Sequence, residues 1–297
     1  LDRPLFALSD YKGLKPVVND STIKSSNNPA TSQFRWNNSG WVIQMKKLQL
    51  QDGSFANDKE TIRPAYTTFF DGQHLKFSSI SGSIDELVFK DDTLKANILL
   101  TANERNGLQV KKLQSYMRFT PVQMEFNDLD IETNNSRIGN YFSMNYNNFN
   151  EDMIDFIKNV KLKIKLNDSK INSDDIAIFA PELANWKRVF HAEGDAEGTI
   201  DNFSAKKLKV KSGNTIIDGA LALRGLPDIN STYIDFNGKS LQTNYSDLVT
   251  LIPALKKIDQ AQFNKLGNIF YKGNFTGFIN DFVTYGTIAT NLGVINA

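Results

Sequence analysis

The chain has 297 residues and sets 34 Lys and Arg against 33 Asp and Glu, a formal charge of +1 that excludes a nucleic-acid binder built on a dense basic stripe. It has no cysteine, which excludes a disulfide scaffold, a Cys-based zinc site and a thiol nucleophile together. No window approaches 18 consecutive apolar residues, and the opening Leu1-Asp2-Arg3-Pro4 has no signal-peptide character; neither a membrane span nor a signal peptide is expected, and the chain reads as an internal fragment.

Residues 1–40 are rich in Ser, Asn, Lys and Pro and almost aperiodic, which predicts an irregular linker or edge segment. From Trp41 the dominant period is two, the signature of half-buried strands. Met45 to Leu50 is a strand, Asp52-Gly53-Ser54 a turn, and Phe55 opens the next piece. His74 to Ile80 and Gly82 to Phe89 follow as two strands separated by glycine, and Leu94, Ala96, Ile98 and Leu100 then share a face. Between Leu108 and Thr133 come four short pieces, ending with Val122 to Phe126 and Leu129 to Glu132. Ile138, Asn140, Phe142, Met144 and Tyr146 form one further face. Such short connections cannot hold a parallel crossover, so the sheet is predicted to be antiparallel.

Three segments switch to helical spacing. Glu151 to Val160 follows Asn150 as N-cap. Ser173 to Trp186 opens on Ser-Asp-Asp, acidic residues suited to a first turn, and is broken at Pro181. Tyr245 to Ile258 places Leu248, Leu251, Ile252, Leu255 and Ile258 on a stripe. Short amphipathic helices of this kind are expected to cap or plug a sheet.

An eleven-residue phrase recurs. Glu193 to Phe203 aligns without gaps on Lys272 to Phe282, matching Gly194 with Gly273, Gly198 with Gly277, Ile200 with Ile279 and Phe203 with Phe282; Gly82 to Leu87 echoes its second half. Glycines inside strands mark bends, bulges or close backbone approach. Reuse of one strand-bend-strand unit predicts a sheet that grows along an axis rather than a compact sandwich.

Enzyme chemistry finds no support. The two histidines, His74 and His191, lie outside any HExxH or H-x-E frame and read as surface strand residues, and no phosphate loop, GxSxG elbow or calcium loop is present. No catalytic residue, metal or cofactor is expected. What remains is the patterning: 21 Phe and other large apolar residues alternate with Lys, Asn and Asp along the same strands, giving one oily face and one wet face.

Several phrases, Asp175 to Leu183, Glu193 to Phe203, Leu223-Arg-Gly-Leu-Pro-Asp-Ile229, Thr243-Asn-Tyr245, Lys265 to Ile269 and Gly273 to Gly286, together resemble the translocation and assembly module family TamB of Bacteroidetes, within the wider AsmA-like group of bridge proteins. Leu48 to Phe55 and His74 to Ile80 are similar to AsmA-type strand pairs, so the likeness runs from about residue 41 to the end. The resemblance implies a periplasmic, U-shaped β-groove carrying phospholipid between membranes, held to the inner membrane by an anchor this chain lacks, with a BamA-like (TamA-type) outer-membrane partner. It supplies no catalytic residues.

The expectation is therefore a mainly β, elongated and curved antiparallel groove with a few capping or plugging helices: residues 41–149 its N-terminal part, 150–187 a helical insertion with an intervening strand, and 188–297 C-terminal repeats. Candidate lining residues are Ile98, Leu100, Val110, Met117, Phe119, Val122, Met124, Phe126, Phe142, Met144, Ile164, Leu221 and Leu223. Two other readings use the same strands: a scaffold that offers its edge to outer-membrane strands, and a closed extracellular sandwich of adhesin or glycan-binding type. An outer-membrane barrel is disfavoured because helices interrupt the strands and Lys and Asp crowd the positions that lipid would cover.

Overall fold

A computed structural model of the chain describes residues 1–10, 35–59, 71, 74–179, 184–226, 228, 231–251 and 263–296. Among the described residues, fifteen strands form one sheet in which each strand pairs with its neighbours in sequence. They are β1 Leu5–Asp10, β2 Ile43–Lys59, β3 His74–Lys90, β4 Thr93–Glu104, β5 Gln109–Thr120, β6 Gln123–Glu132, β7 Arg137–Asn145, β8 Lys161–Asn172, β9 Val189–Gly198, β10 Asn202–Ser212, β11 Thr215–Arg224, β12 Tyr233–Asn244, β13 Asn268–Phe278, β14 Asp281–Thr290 and β15 Gly293–Asn296. Every pairing is antiparallel except the first, where β1 lies parallel to the end of β2. Part of the segment read as an irregular linker or edge is thus an edge strand. Among the described residues no pairing joins β1 to β15, so the sheet is open. At about 4.8 Å per strand it forms a ribbon on the order of 65 Å long.

The ribbon is bent by bulges that recur near the middle of successive strands. Register shifts fall at Leu50/Gly53 on β2, Ser78/Ser81 and Asp85/Val88 on β3, Phe126/Leu129 on β6, Leu166/Ser169 on β8, Ala205/Lys207 on β10 and Gly238/Leu241 on β12. Asp52, Ser79, Glu86, Asp128 and Asp168 take positive φ beside these shifts. A bulge adds a residue to one strand, bends it and raises its twist; a line of them creases the sheet into a trough. Asp52-Gly53 is accordingly a bulge inside a 17-residue strand and not a turn, and His74 to Phe89 is one strand and not two.

Among the described residues, helices sit only at strand ends. The stretch read as one helix over Glu151–Val160 is two single turns, α1 Phe149–Asp152 and α2 Phe156–Asn159. The Asp152 carboxylate accepts from the Asn147 and Asn148 amides at 2.6 and 3.2 Å, which holds the chain folded back at the first turn. The second helix is α3 Ser173–Ile176, capped by Asn172, whose side chain accepts from Asp174 N at 2.9 Å; Pro181 lies outside the described residues. The third is α4 Tyr245–Leu251, and the rest of that predicted stripe also lies outside them.

The recurring phrase is a hairpin. Gly198 faces Phe203 across β9 and β10, Gly277 faces Phe282 across β13 and β14, and Ile200 and Ile279 fall between those strands. Gly194 and Gly273 lie on β9 and β13. The echo at Gly82 lies mid-strand on β3 instead, opposite Leu100. The two hairpins belong to a larger unit of four strands. The offset that carries Gly194 onto Gly273 also carries β5, β6 and β7 onto β9, β10 and β11, and β8 with α3 corresponds to β12 with α4.

Each of those helices presents a carboxylate to a turn two strands back. Asp175 of α3 accepts from Thr133 Oγ1 at 2.5 Å, Asn135 N at 3.1 Å and Asn135 Nδ2 at 3.0 Å, all in the β6–β7 turn. Asp247 of α4 accepts from Asn214 N in the β10–β11 turn at 2.8 Å and from Arg188 at 2.7 Å. Both are buried, at 7 % and 6 % exposed. Burial alone would raise the Asp175 carboxyl, but hydrogen bonds from Thr133, Ser136 and Asn135 outweigh it and hold the group below its ordinary range.

Candidate functional site

Register decides which side chains share a face. Across β5 to β8 two adjacent rows run perpendicular to the strands: Phe119, Met124, Met144 and Leu162 in one, Met117, Phe126, Phe142 and Ile164 in the other. Ile98 and Leu100 on β4 join the same face opposite Ser115 and Leu113, and Val110 joins it opposite Ala102. Leu221 and Leu223 on β11 continue it, opposite Ala205 and Phe203 on one side and Phe236 and Ile234 on the other. Val122 lies in the β5–β6 turn, where its carbonyl accepts from Tyr146 N at 3.0 Å, opposite Tyr146 in continuation of the Met124–Met144 pairing.

Among the described residues, nothing caps this face over most of its length. Ala96, Ile98 and Met117 are buried at its centre, and Ile84, Leu94, Leu113, Phe119 and Phe126 pack around them only half-buried. Met124, Phe142, Met144, Ile164, Leu221 and Leu223 are likewise half-buried. Two sheets packed face to face would bury such residues fully. Phe119 meets Phe126 edge-on at 5.3 Å, and Phe126 lies 6.3 Å from Phe142, so the aromatic rings make a continuous patch among the methionines. Four of the five methionines, Met45, Met117, Met124 and Met144, face this way. Methionine is unbranched and polarizable and packs against irregular apolar partners.

Sequence reasoning missed Met45, Leu48, Ile84, Leu87, Phe203, Leu208 and Phe236 as members of this face. The bulges on β3 and β6 move the inward position from i+2 to i+3, from Ile84 to Leu87 and from Phe126 to Leu129, and Met45 and Leu48 on β2 keep the same spacing by pairing with Leu87 and Ile84. Two apolar residues spaced by three within an otherwise alternating run are the signal that finds them.

The opposite face is charged. Lys165 faces Asp195, Asp195 faces Lys207, Glu193 faces Lys209, and Lys209 faces Asp218. Opposite charges on directly opposed strand positions fix register and favour this face toward water. Asp130 on β6 is held below its ordinary range by hydrogen bonds from Arg137 and Lys112, at 2.9 and 2.7 Å. Of the histidines, His191 is exposed on β9, whereas His74 is a correction to the surface reading: it is 5 % exposed and its Nδ1 lies 2.9 Å from Asp71. Among the described residues no group of three or more acidic or histidine side chains is placed to hold a metal, and no helix is long and apolar enough to cross a membrane. The arrangement offers an apolar channel with a hydrated back, a surface suited to holding hydrocarbon.

The chain matches no protein-family model, no curated protein and no solved structure.

Proposed function

We propose that the chain binds phospholipid by its acyl chains along the apolar trough and carries it between inner and outer membranes in the periplasm. The observation that carries this reading is the uncapped row of Phe and Met side chains running across β5 to β8 and onward to β11. Burying hydrocarbon is worth about 0.8 kcal/mol per methylene, so an acyl chain lying across these strands is held by order of 10 kcal/mol before entropic costs. The resemblance to TamB supplies the rest of the proposal: an inner-membrane anchor outside this chain and a BamA-like partner in the outer membrane. A photocrosslinking amino acid at Phe126 or Phe142 should capture phospholipid, while the same probe one position away at Glu125 or Tyr141 should not. Phe126→Asp or Met144→Asp should abolish capture with the circular dichroism of the sheet retained. Equal capture from both faces would overturn the assignment.

A second reading, a scaffold that pairs with incoming strands, has one observation in its favour. β15 pairs only with Thr287 to Thr290, so Asp281 to Gly286 of β14 leaves its far edge unpaired among the described residues. Phe282, Val283 and Tyr285 there are 50 %, 54 % and 68 % exposed. An unpaired edge is a template for strand addition. A probe at Tyr285 that captures polypeptide, with probes at Phe126 capturing no lipid, would favour this reading.

A further inference from the structure

On the outward face, near the strand ends that carry α3, register aligns Arg137 of β7, Lys170 of β8, His191 of β9 and Lys211 of β10, each directly opposite the next. At about 4.8 Å per strand, four basic side chains follow one another over roughly 15 Å. Like groups directly opposed are destabilising. The row begins by alternating, with Lys112 facing Glu132 and Glu132 facing Arg137, and then stops doing so. Elsewhere on this face the isolated pair Lys95 and Arg118 is answered at once by Glu125, opposite Arg118.

The fold itself does not require the cations. One four-strand unit later the corresponding row is Ile216, Gln242, Phe270 and Ala289, paired in the same manner and uncharged. Arg137 is tied to Asp130 by two hydrogen bonds of 2.9 and 3.0 Å. Lys170, His191 and Lys211 are exposed and have no ion pair or hydrogen bond among the described residues. Arg137 and Lys170 also line a concavity of about 420 Å³ with Glu132, Asn134, Asn135 and Asn172, in which the Asn134 and Asn135 side chains are turned to Gly107 and Asp175.

We infer that this row is a binding site for clustered phosphate groups, separate from the apolar trough and independent of what the trough carries. A phosphate with close to two charges and three acceptor oxygens bridges two adjacent cations, which one carboxylate does not. The ligand is a soluble polyphosphate or a phosphomonoester lipid head; both offer the same chemistry.

The test is a calorimetric titration of the full chain with tripolyphosphate at low salt. Lys170→Gln and Lys211→Gln should each weaken binding about tenfold, the loss of one charge-assisted contact. Lys163→Gln and Lys209→Gln, which remove the same charge from positions opposed by acids, should change it less than about twofold. Neither row variant should lower the melting temperature, since neither lysine has an ion pair or hydrogen bond among the described residues to lose, and Lys170 directly faces Arg137. Absence of wild-type binding, equal losses in row and control variants, or a lowered melting temperature in Lys170→Gln would overturn the site. Sedimentation with phosphatidylcholine vesicles containing phosphatidic acid then identifies the source: co-sedimentation lost in Lys170→Gln assigns a lipid head, and tripolyphosphate binding without co-sedimentation assigns a soluble ligand.

Discussion

Alanine at Gly194 should cost about 3 kcal/mol or more and should loosen β9, β10 and β11 before the rest of the sheet. Gly194 has φ of +139°, a region that side-chain-bearing residues rarely adopt, and a Cβ there would overlap the carbonyl oxygen of Lys207. That carbonyl belongs to the bulge in β10, whose register shift lies between Ala205 and Lys207 directly beside Gly194. Neither the strand nor the bulge has room to yield, because Gly194 is also paired to Leu166 on its other side. Gly107 is the control. Its φ of +100° is also positive, but nothing lies within 4 Å of a Cβ there, so Gly107→Ala carries only the backbone strain, about 1–2 kcal/mol. Since each strand leans only on its neighbours, the loss should remain local. Hydrogen exchange should therefore show faster amides in β9 to β11 of Gly194→Ala with β3 to β5 unchanged; uniform protection at wild-type level would contradict the crease.

Asp175→Ala should destabilise the β6–β7 turn and α3 by about 3 kcal/mol, because it strands three donors in a largely dry site. The carboxylate joins the helix to a turn two strands away, through Thr133 and both nitrogens of Asn135, beside a further bond from the N-cap Asn172 N to Ser136 Oγ at 2.9 Å. Asp247→Ala should do the same to the β10–β11 turn, with Arg188 left half-buried beside the gap, and the two losses should not add in full, because Arg188 links the sites: its backbone N–H donates to Ser173 Oγ of α3 at 2.9 Å while its guanidinium holds Asp247. The acid dependence has a definite sign. Asp175 has a lowered folded pKa, so its contribution is complete above the ordinary carboxylate value near 3.9 and is lost as pH falls through the folded value. Urea melts of wild type and Asp175→Asn should converge as the pH drops below about 4; a gap that persisted unchanged at pH 2 would contradict the latch.

The architecture was legible because alternation survives between bulges. Leu94 to Leu100 and Ile138 to Met144 announce their face directly, and connections of two to four residues fix antiparallel pairing. The bulges themselves were read as turns, since a phase slip beside Asp52-Gly53 or before Leu129 is locally indistinguishable from the end of a strand. Helix ends were less legible. The acidic first turn of Ser173-Asp174-Asp175 suggested a dipole partner, yet the Asp174 carboxylate accepts from Lys187 Nζ at 2.8 Å, and what fixes Asp175 is a turn about forty residues earlier, which no local window contains. His74 was misread although its partner Asp71 is only three residues away, because its burial depends on β3 meeting the end of β4, from which Arg105 also reaches Asp71. The basic row at Arg137, Lys170, His191 and Lys211 is scattered over four strands and exists only once register is known.

The account rests on hydrocarbon riding along the uncapped face of one sheet. The most direct measurement is native mass spectrometry of the chain purified without detergent, beside Phe126→Asp and Met144→Asp. Wild-type protein should carry phospholipid-sized adducts that both variants lose while keeping the sheet's circular dichroism; a wild-type chain free of lipid, or variants that retain it in full, would contradict the account.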